Sequence, residues 1–472
     1  MKTIFLNAIF GLLCLTAMSQ SKLTLQQAIQ VGIANNIDVR QSDLLVQKAN
    51  INLKQSRSDM LPNLNGSADH GINEGRSIDP FTNAPITQNV DYASYGASSR
   101  ILLFNGFSLQ NQIKGNSLGY QASKMELQQA KDNVTINIIL AYLGVLSDED
   151  ILASSRNQGV VTGKQVERLD ILNKSGAIPP SQYYDLRGQL ANDELAVADN
   201  LAALETAKIN LVQLLNIPYD KNLELERLPE ETFDTSYHAE PDKIYATALQ
   251  KFAQIKAVHF RSQSAEKTIR SIQGQLYPTL SFSGNVNTNF SSAATQSIFL
   301  NSVTIPSKTD YVEVNGTQIP VITSQDNFDT KKINYGDQLK NNKFTTFNLG
   351  LSIPLFNANL VRNRVKLAKI DLKNSELVEQ NAKNQLQQSI ERAYVNLSNT
   401  SDKYKILLDQ VNSFTESYRA AEIRFNAGAI TSVDYLIAKN NLDRTNINLI
   451  VAKYDFLLRS KILDYYQGKA LW

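Results

Sequence analysis

The chain of 472 residues is long enough for two or three ordinary domains. Its 47 basic and 45 acidic side chains nearly balance, which leaves no electrostatic case for nucleic acid as a partner. A single cysteine excludes a disulfide framework, and no later stretch approaches the roughly eighteen apolar residues of a transmembrane helix.

Residues 1–19 read as a secretory signal peptide. Lys2 opens it, residues 4–15 are apolar, and Ala17-Met18-Ser19 is a small-x-small cleavage site before Gln20. Cys14 follows Leu13, a bulky residue where a lipoprotein signal needs a small one, so lipidation is disfavoured. Cleavage would leave a chain without a thiol.

Residues 20–216 form a first repeat. Within it, residues 63–73 and 92–104 read as strands, the second less regular than the first. In residues 63–73, Leu64, Ala68 and Ile72 alternate with Asn65, Ser67, Asp69 and Asn73. No proline occurs between Pro85 and Pro179, and residues 116–173 read as a helix despite Gly144, Gly159 and Gly163. Lys174 sits in its last turn, Gly176 offers a left-handed cap, and Pro179-Pro180-Ser181 suits the start of a returning helix over 182–216. Residues 217–242, with Pro218, Pro229 and Pro241, read as an inter-repeat linker.

Residues 243–472 form a second repeat. Leu280, Phe282, Val286 and Phe290 alternate with serines and asparagines, as Phe347, Leu349, Leu351, Ile353 and Leu355 do with Asn348, Gly350, Ser352 and Pro354. Residues 355–427 lack both proline and glycine, and as one helix would extend about 110 Å. Leu407, Val411, Phe414, Tyr418, Ala421 and Phe425 fall at alternating steps of four and three, the seam of a coiled coil. Gly428 caps this helix, Thr431 or Ser432 is the N-cap of the next, and the chain returns over 433–463.

The two repeats keep one register. Leu103-Phe104-Asn105-Gly106 and Gly176-Ala177-Ile178 are separated as Leu355-Phe356-Asn357-Ala358 and Gly428-Ala429-Ile430 are, and Leu61-Pro62 answers Tyr277-Pro278. A repeat this large, without insertion, is a duplicated half-molecule. The expected fold is mainly α with a membrane β part. Each half is of αββα type, giving long coiled-coil helical hairpins and four strands per chain.

Strands of about ten alternating residues suit a membrane β-barrel, although an ordinary sheet with one wet face has the same period. The asparagine- and serine-rich polar face favours the barrel. So do aromatics at the strand ends, with Tyr277, Phe104 and Phe356 at one end and Tyr92, Phe290 and Phe344 at the other. Four strands cannot close a barrel, and lipid does not tolerate open edges, so copies of the chain must assemble.

Catalytic patterns are lacking. His70, His238 and His259 stand far apart, no cluster has metal-ligand spacing, and no GxxxxGK[ST] loop is present. Neither an enzyme nor a cofactor is expected. His70 reads as a lumen-side or girdle residue and the other two histidines as surface residues.

Across the mature chain, the order of Leu23-Thr24-Leu25-Gln26-Gln27-Ala28-Ile29, Asn36, the strand entries, the two Leu-Phe-Asn corners, the Gly-Ala-Ile turns and Asp434 resembles the TolC family of outer-membrane efflux proteins. That resemblance implies a homotrimer with a 12-stranded barrel in the outer membrane and a 12-helix tunnel through the periplasm. It also implies an exit duct for substrates handed over by an inner-membrane RND or ABC transporter through a periplasmic adaptor. Residues 75–91 and 291–342 would be the external loops, and residues 217–242 would lie on an equatorial belt.

By the same resemblance, the turns Gly176, Ala177, Ile178 and Gly428, Ala429, Ile430 would be exposed for adaptor docking. Asp434 matches the family's first acidic pore position, whereas the second falls on Ile437. Gln182 and Ile430 replace an aspartate and an arginine of the family's closing network, and Asp185 could supply an acidic ring from the other hairpin. A first-turn carboxylate favouring a helix N-terminus is the alternative role for both aspartates. A type I protein-secretion exit duct and a non-pore periplasmic coiled-coil scaffold are the alternatives.

Overall fold

The computed structural model describes residues 22–78, 83–87, 89–229 and 240–469. The expected signal segment 1–19 and His238 lie outside them. Helices α1 (Leu25–Asn35) and α2 (Ile37–Ser58) lead into strands β1 (Asn63–Asn73), β2 (Arg76–Ile78), β3 (Pro85–Thr87) and β4 (Val90–Asn105). Then come α3 (Ser108–Lys174), α4 (Pro180–Leu215), α5 (Pro241–Lys251) and α6 (Ala253–Gly274). Strands β5 (Thr279–Ser291), β6 (Thr295–Val314) and β7 (Thr317–Lys332) follow, then α7 (Tyr335–Asn341), β8 (Phe344–Ser352), α8 (Leu360–Asn426) and α9 (Ser432–Tyr466).

The duplication holds element by element. α1 and α5 each have 11 residues, α2 and α6 each 22, α3 and α8 each 67, and α4 and α9 have 36 and 35. Each repeat breaks its first helix at one extended residue, Asn36 or Phe252, with ψ of 129° and 126°.

The chain forms two compact units, and each draws on both repeats. The first comprises Met1–Asn52, Gly115–Glu266 and Ile370–Trp472. Its largest core packs Leu25, Ala28, Ile138, Tyr142, Leu211 and Leu457. Leu225 joins that core, its backbone pairs with Leu23, and the Tyr142 hydroxyl lies 2.8 Å from Leu23 O and 2.7 Å from Glu226 O. The start of the predicted linker is thus tied to the core, and its end, from Pro241, is already helix.

A second core sets Ile244, Ala248 and Phe252 against Leu386, Ile390 and Phe456. Along α8, each predicted seam position from Leu407 to Phe425 is buried or half-buried, and Ile406, Leu408 and Ile423 beside them are exposed. That is the one-sided burial of a coiled-coil helix.

The second unit, Leu53–Lys114 with Lys267–Lys369, holds the strands. Four make an antiparallel sheet in the order β1-β4-β5-β8, and β2-β3 and β6-β7 are separate ribbons. The register sorts side chains cleanly, because neighbours across strands share a face. Rows Leu64-Ser99-Gly284-Phe347, Gly66-Ala97-Val286-Thr345 and Ile101-Phe282-Leu349 lie on one face; Asn65-Ser98-Asn285-Thr346 lies on the other. Phe347, Leu349 and Leu351 of the apolar face are more than 60% exposed, at 72%, 63% and 62%.

The sheet corrects several expectations. His70, expected on the lumen side or in a girdle, shares the apolar face with Ala93 and Phe290. Tyr92 and Phe344 fall on the asparagine face, opposite Ser291 and Asn287, so that end's apolar-face aromatics are Phe290 and Tyr95. Strand β8 ends at Ser352, because Pro354 has no N–H to continue the ladder.

The second long helix starts at Leu360, not 355, because the Leu-Phe-Asn motif is a strand-to-helix corner. Gly106 and Phe107 have φ of 63° and 61°, and their repeat counterparts Ala358 and Asn359 have 51° and 61°. Such a left-handed pair ends the strand direction before either helix begins. The segment 291–342, expected as an external loop of unreadable conformation, holds the long β6-β7 ribbon and α7.

Candidate functional site

The two helical hairpins end on matching turns. Gly176 N–H donates to Asn173 O at 3.0 Å and Ala177 N–H to Leu172 O at 2.9 Å; Gly428 donates to Phe425 O and Ala429 to Arg424 O at 3.0 and 2.8 Å. These pairs are Schellman caps, which require the left-handed φ of 72° and 73° at the two glycines. Gly176, Ala177, Gly428 and Ala429 are exposed, whereas Ile178 and Ile430 are half-buried against a tip core of Leu169, Leu186, Phe425 and Tyr435. The expected fully exposed apolar turns therefore shrink to the Gly-Ala pairs, because both isoleucines fold back over the aromatic core.

Both candidate acids gather at the N-terminus of α9. Asp434 closes a capping box: its N–H donates to Thr431 Oγ1 at 3.2 Å, and its carboxylate accepts from Thr431 Oγ1 at 2.8 Å and Thr431 N–H at 3.3 Å. Asp185 comes from α4 and accepts from the buried Ser432 hydroxyl at 2.7 Å. The helix start offers free N–H groups and a positive dipole end, so carboxylates are stable there. Asp185 is the repeat counterpart of Ile437, and Gln182 that of Asp434. Each half thus carries one acid, at a different one of two equivalent positions.

Farther along the helices lies an ionic cluster that sequence reasoning missed. Lys439 Nζ is 3.0 Å from Asp193 and 2.7 Å from Asp443, with the Lys439 and Asp193 side chains only 3% and 7% exposed. Thr162 of α3 donates to Asp193, as does Gln189 at 2.7 Å. The cluster ties α3, α4 and α9 together beside a cavity of about 230 Å³. Burial raises the Asp443 carboxyl, and Lys439 only partly offsets this. Burial likewise raises the Tyr435 and Tyr418 hydroxyls, which lie 3.1 Å apart.

One signal was available. Leu186, Leu190, Asp193, Val197, Asn200 and Leu204 keep seam spacing, which puts Asp193 where a coiled coil expects an apolar residue. Arg168 also escaped notice. It donates to Asn426 O at 2.7 Å, placing a cation on the C-terminal carbonyls of α8.

His259 lies 3.2 Å from Glu379 on an exposed surface, where Lys383 also pairs with Glu379. Among the described residues, no group of His, Cys, Asp or Glu could hold a metal ion, and no helix is long and apolar enough to cross a membrane.

Comparison with known proteins agrees with this architecture. The family model for outer membrane efflux protein matches residues 28–216 and 244–468. Outer membrane protein TolC of Escherichia coli is 21% identical over 451 residues, covering 94% of this chain and 81% of that protein. Outer membrane efflux protein BepC of Brucella suis is 20% identical over 463 residues, covering 96% and 87%. Among solved structures, CusC superposes with a TM-score of 0.76 at 15% identity, covering 95% of this chain and 93% of that one. VceC of Vibrio cholerae superposes with 0.73 at 12%, covering 95% and 97%. At such identities the superpositions establish the fold.

Proposed function

The chain belongs to the outer membrane efflux protein family and is an outer-membrane exit duct for tripartite efflux; on that premise we propose how it assembles, docks and closes. It works as a homotrimer, with three four-stranded sheets closing one 12-stranded barrel in lipid and the helical units forming a 12-helix tunnel in the periplasm. The observation that carries this reading is the sheet. Strands β1 and β8 are its outer members, and its apolar face is exposed from Leu64 to Leu351. A bilayer tolerates neither unpaired edge, so each must pair with a copy. Native mass measurement on detergent-extracted protein is expected to give three copies per particle. A folded, lipid-inserted monomer would overturn the assembly.

A periplasmic adaptor docks on the tips, through Gly176-Ala177 and Gly428-Ala429, and an inner-membrane RND or ABC transporter drives export. Replacing Ala177 and Ala429 with arginine should abolish export and leave the particle mass unchanged; unimpaired export would place docking elsewhere.

Asp434 and Asp185 form the acidic constriction that closes the resting pore. Three-fold symmetry multiplies each carboxylate around one axis, and such rings favour cations. Their shared position at the start of α9 supports this, while the capping box of Asp434 is a structural duty it would perform as well. Single-pore conductance in a planar bilayer separates the two roles. Asp434→Ala with Asp185→Ala should remove both cation preference and block by a trivalent cation, and a variant that keeps both would leave the acids as caps only.

A further inference from the structure

Between β5 and β8 the chain leaves the sheet in a long two-stranded ribbon. β6 has 20 residues and β7 has 16, joined by Asn315-Gly316 with φ of 57° and 82°, the two-residue turn that a tight hairpin needs. At about 3.3 Å per residue the ribbon reaches roughly 60 Å.

Its root is built, not slack. Gln338, 1% exposed, accepts from Ser291 N–H at 2.9 Å and donates to Ser291 O at 3.0 Å and Ile333 O at 2.9 Å. Ala294 is buried beside it and accepts from Ile333 N–H. The Tyr335 ring packs at a tilt on Phe290, with centroids 4.6 Å apart, and its hydroxyl lies 2.7 Å from that of Tyr95. The arm therefore leaves the sheet in a fixed direction.

Beyond the root nothing among the described residues covers it. Every residue of β7 and all but one of β6 is exposed. The register places Val303, Ile305, Val312, Val314, Ile319 and Val321 on one face, with no charge at the paired positions of that face from Asn301 round to Asn327. Ser302, Ser324, Asp326 and Glu313 lie on the other. A lone two-stranded ribbon is marginally stable in water at best, and an uncharged β-branched face needs a cover.

We infer that this cover is the same face of the arms of two other copies, which meet on the three-fold axis and cap the external mouth of the duct. The inference rests on the trimeric reading above. Three features select a second copy over a foreign partner. The arm is rooted between β5 and the edge strand β8, so the copies that pair with the sheet edges bring identical arms to the same level. From Asn301 round to Asn327 the paired positions of the apolar face carry no like charges to repel its own copy, and Asp329 and Lys331 of that face lie at the root. Glu313 and Asp326 lie on the opposite face, which would turn outward to water.

The test uses full-length protein carrying Val312→Cys, or Val314→Cys as a second position on the same face. Each introduced cysteine is the only thiol once the signal with Cys14 is removed. Mild oxidation of intact cells should give a disulfide-linked dimer of the chain, whereas Ser324→Cys on the acidic face should stay unlinked. Native mass of the same samples reports the assembly independently. Trimers in which neither the Val312→Cys nor the Val314→Cys variant crosslinks would overturn the arm contact and leave the duct reading standing, and monomers would overturn both. A crosslink to a different protein would replace the self-contact with a foreign partner. Cutting the ribbon back to its root should raise single-pore conductance severalfold, and an unchanged conductance would refute the cap.

Discussion

The two helical hairpins share lengths and end caps, yet they differ at equivalent positions, and the differences show what duplication leaves free. In the first hairpin, buried Asp193 lies on the seam, whereas its counterpart in the second is Thr445, buried and bonded to its own helix. Lys439 supplies the buried cation from the second hairpin, whereas its counterpart Arg187 is exposed. A charge pair across the interface needs one partner from each side, and the once-equal halves have divided the roles. The returning helices start differently as well. Pro179 has no side-chain cap bond, and Thr431 has a full capping box.

The largest expected contrast is therefore between Lys439 and Arg187. Lys439→Met leaves Asp193 buried without its cation and should cost about 3–5 kcal/mol, whereas Arg187→Met should stay within about 0.5 kcal/mol. Thermal loss of helical circular dichroism in detergent measures both. Pairing Lys439→Met with Asp193→Leu should recover most of the loss, since a buried ion pair contributes little beyond an apolar one. A cost for Lys439→Met no greater than for Arg187→Met would show that the cluster is hydrated in solution.

The cap glycines should behave alike. Gly176→Ala and Gly428→Ala each force an L-residue into the left-handed region, at about 1–2 kcal/mol. Neither site lacks space for a Cβ, so the cost would come from the backbone alone. Unequal costs would mean that one turn is held by contacts the other lacks.

At the helix starts the asymmetry should return at smaller scale. Thr431→Ala removes a side-chain cap worth about 1 kcal/mol, while Pro179→Ala removes none. The same melting curves measure both, and equal losses would show that the capping box adds nothing to the second hairpin.

The smallest effect depends on pH. Burial holds the Asp132 carboxyl of α3 above its usual 3.8, against hydrogen bonds from Gln128 and Tyr465. A raised carboxyl is protonated more readily in the fold than in the unfolded chain. Its stabilising contribution is complete below the ordinary value and is lost as pH rises through the raised one. Asp132→Asn installs the residue found at its counterpart, Asn384, and should flatten the fall in stability from about pH 4 upward. An unchanged slope across a pH series of melting curves would assign the dependence to other groups.

Much of this architecture is local, and local features are legible. Glycines that must adopt positive φ, a seam spaced by three and four along α8, and alternation in β1 and β5 are consequences of backbone geometry. α3 reads as noisy because Ile138, Ile139, Tyr142, Leu143, Val145 and Leu146 are buried on more than one face, so no single stripe marks its core side. The Lys439 cluster was obscure for a related reason. A polar residue on a seam breaks the pattern in sequence, and only packing supplies the partner that makes it tolerable. The ribbon between β5 and β8 was missed although Asn315-Gly316 is a strong hairpin signal, because polar residues at its root and bulges at two places interrupt the alternation.

From the sequence alone came the duplication, the hairpins with their caps, and the four strands of the sheet, since each depends on residues near in the chain. The tertiary structure decided how strands of the two repeats align into shared rows, because nothing local fixes the register between β4 and β5. It also decided that Asp185 and Asp434 share one helix start, and that Lys439 is buried against Asp193. Those contacts join residues about 250 positions apart, and no local periodicity encodes which distant side chain will meet a given one.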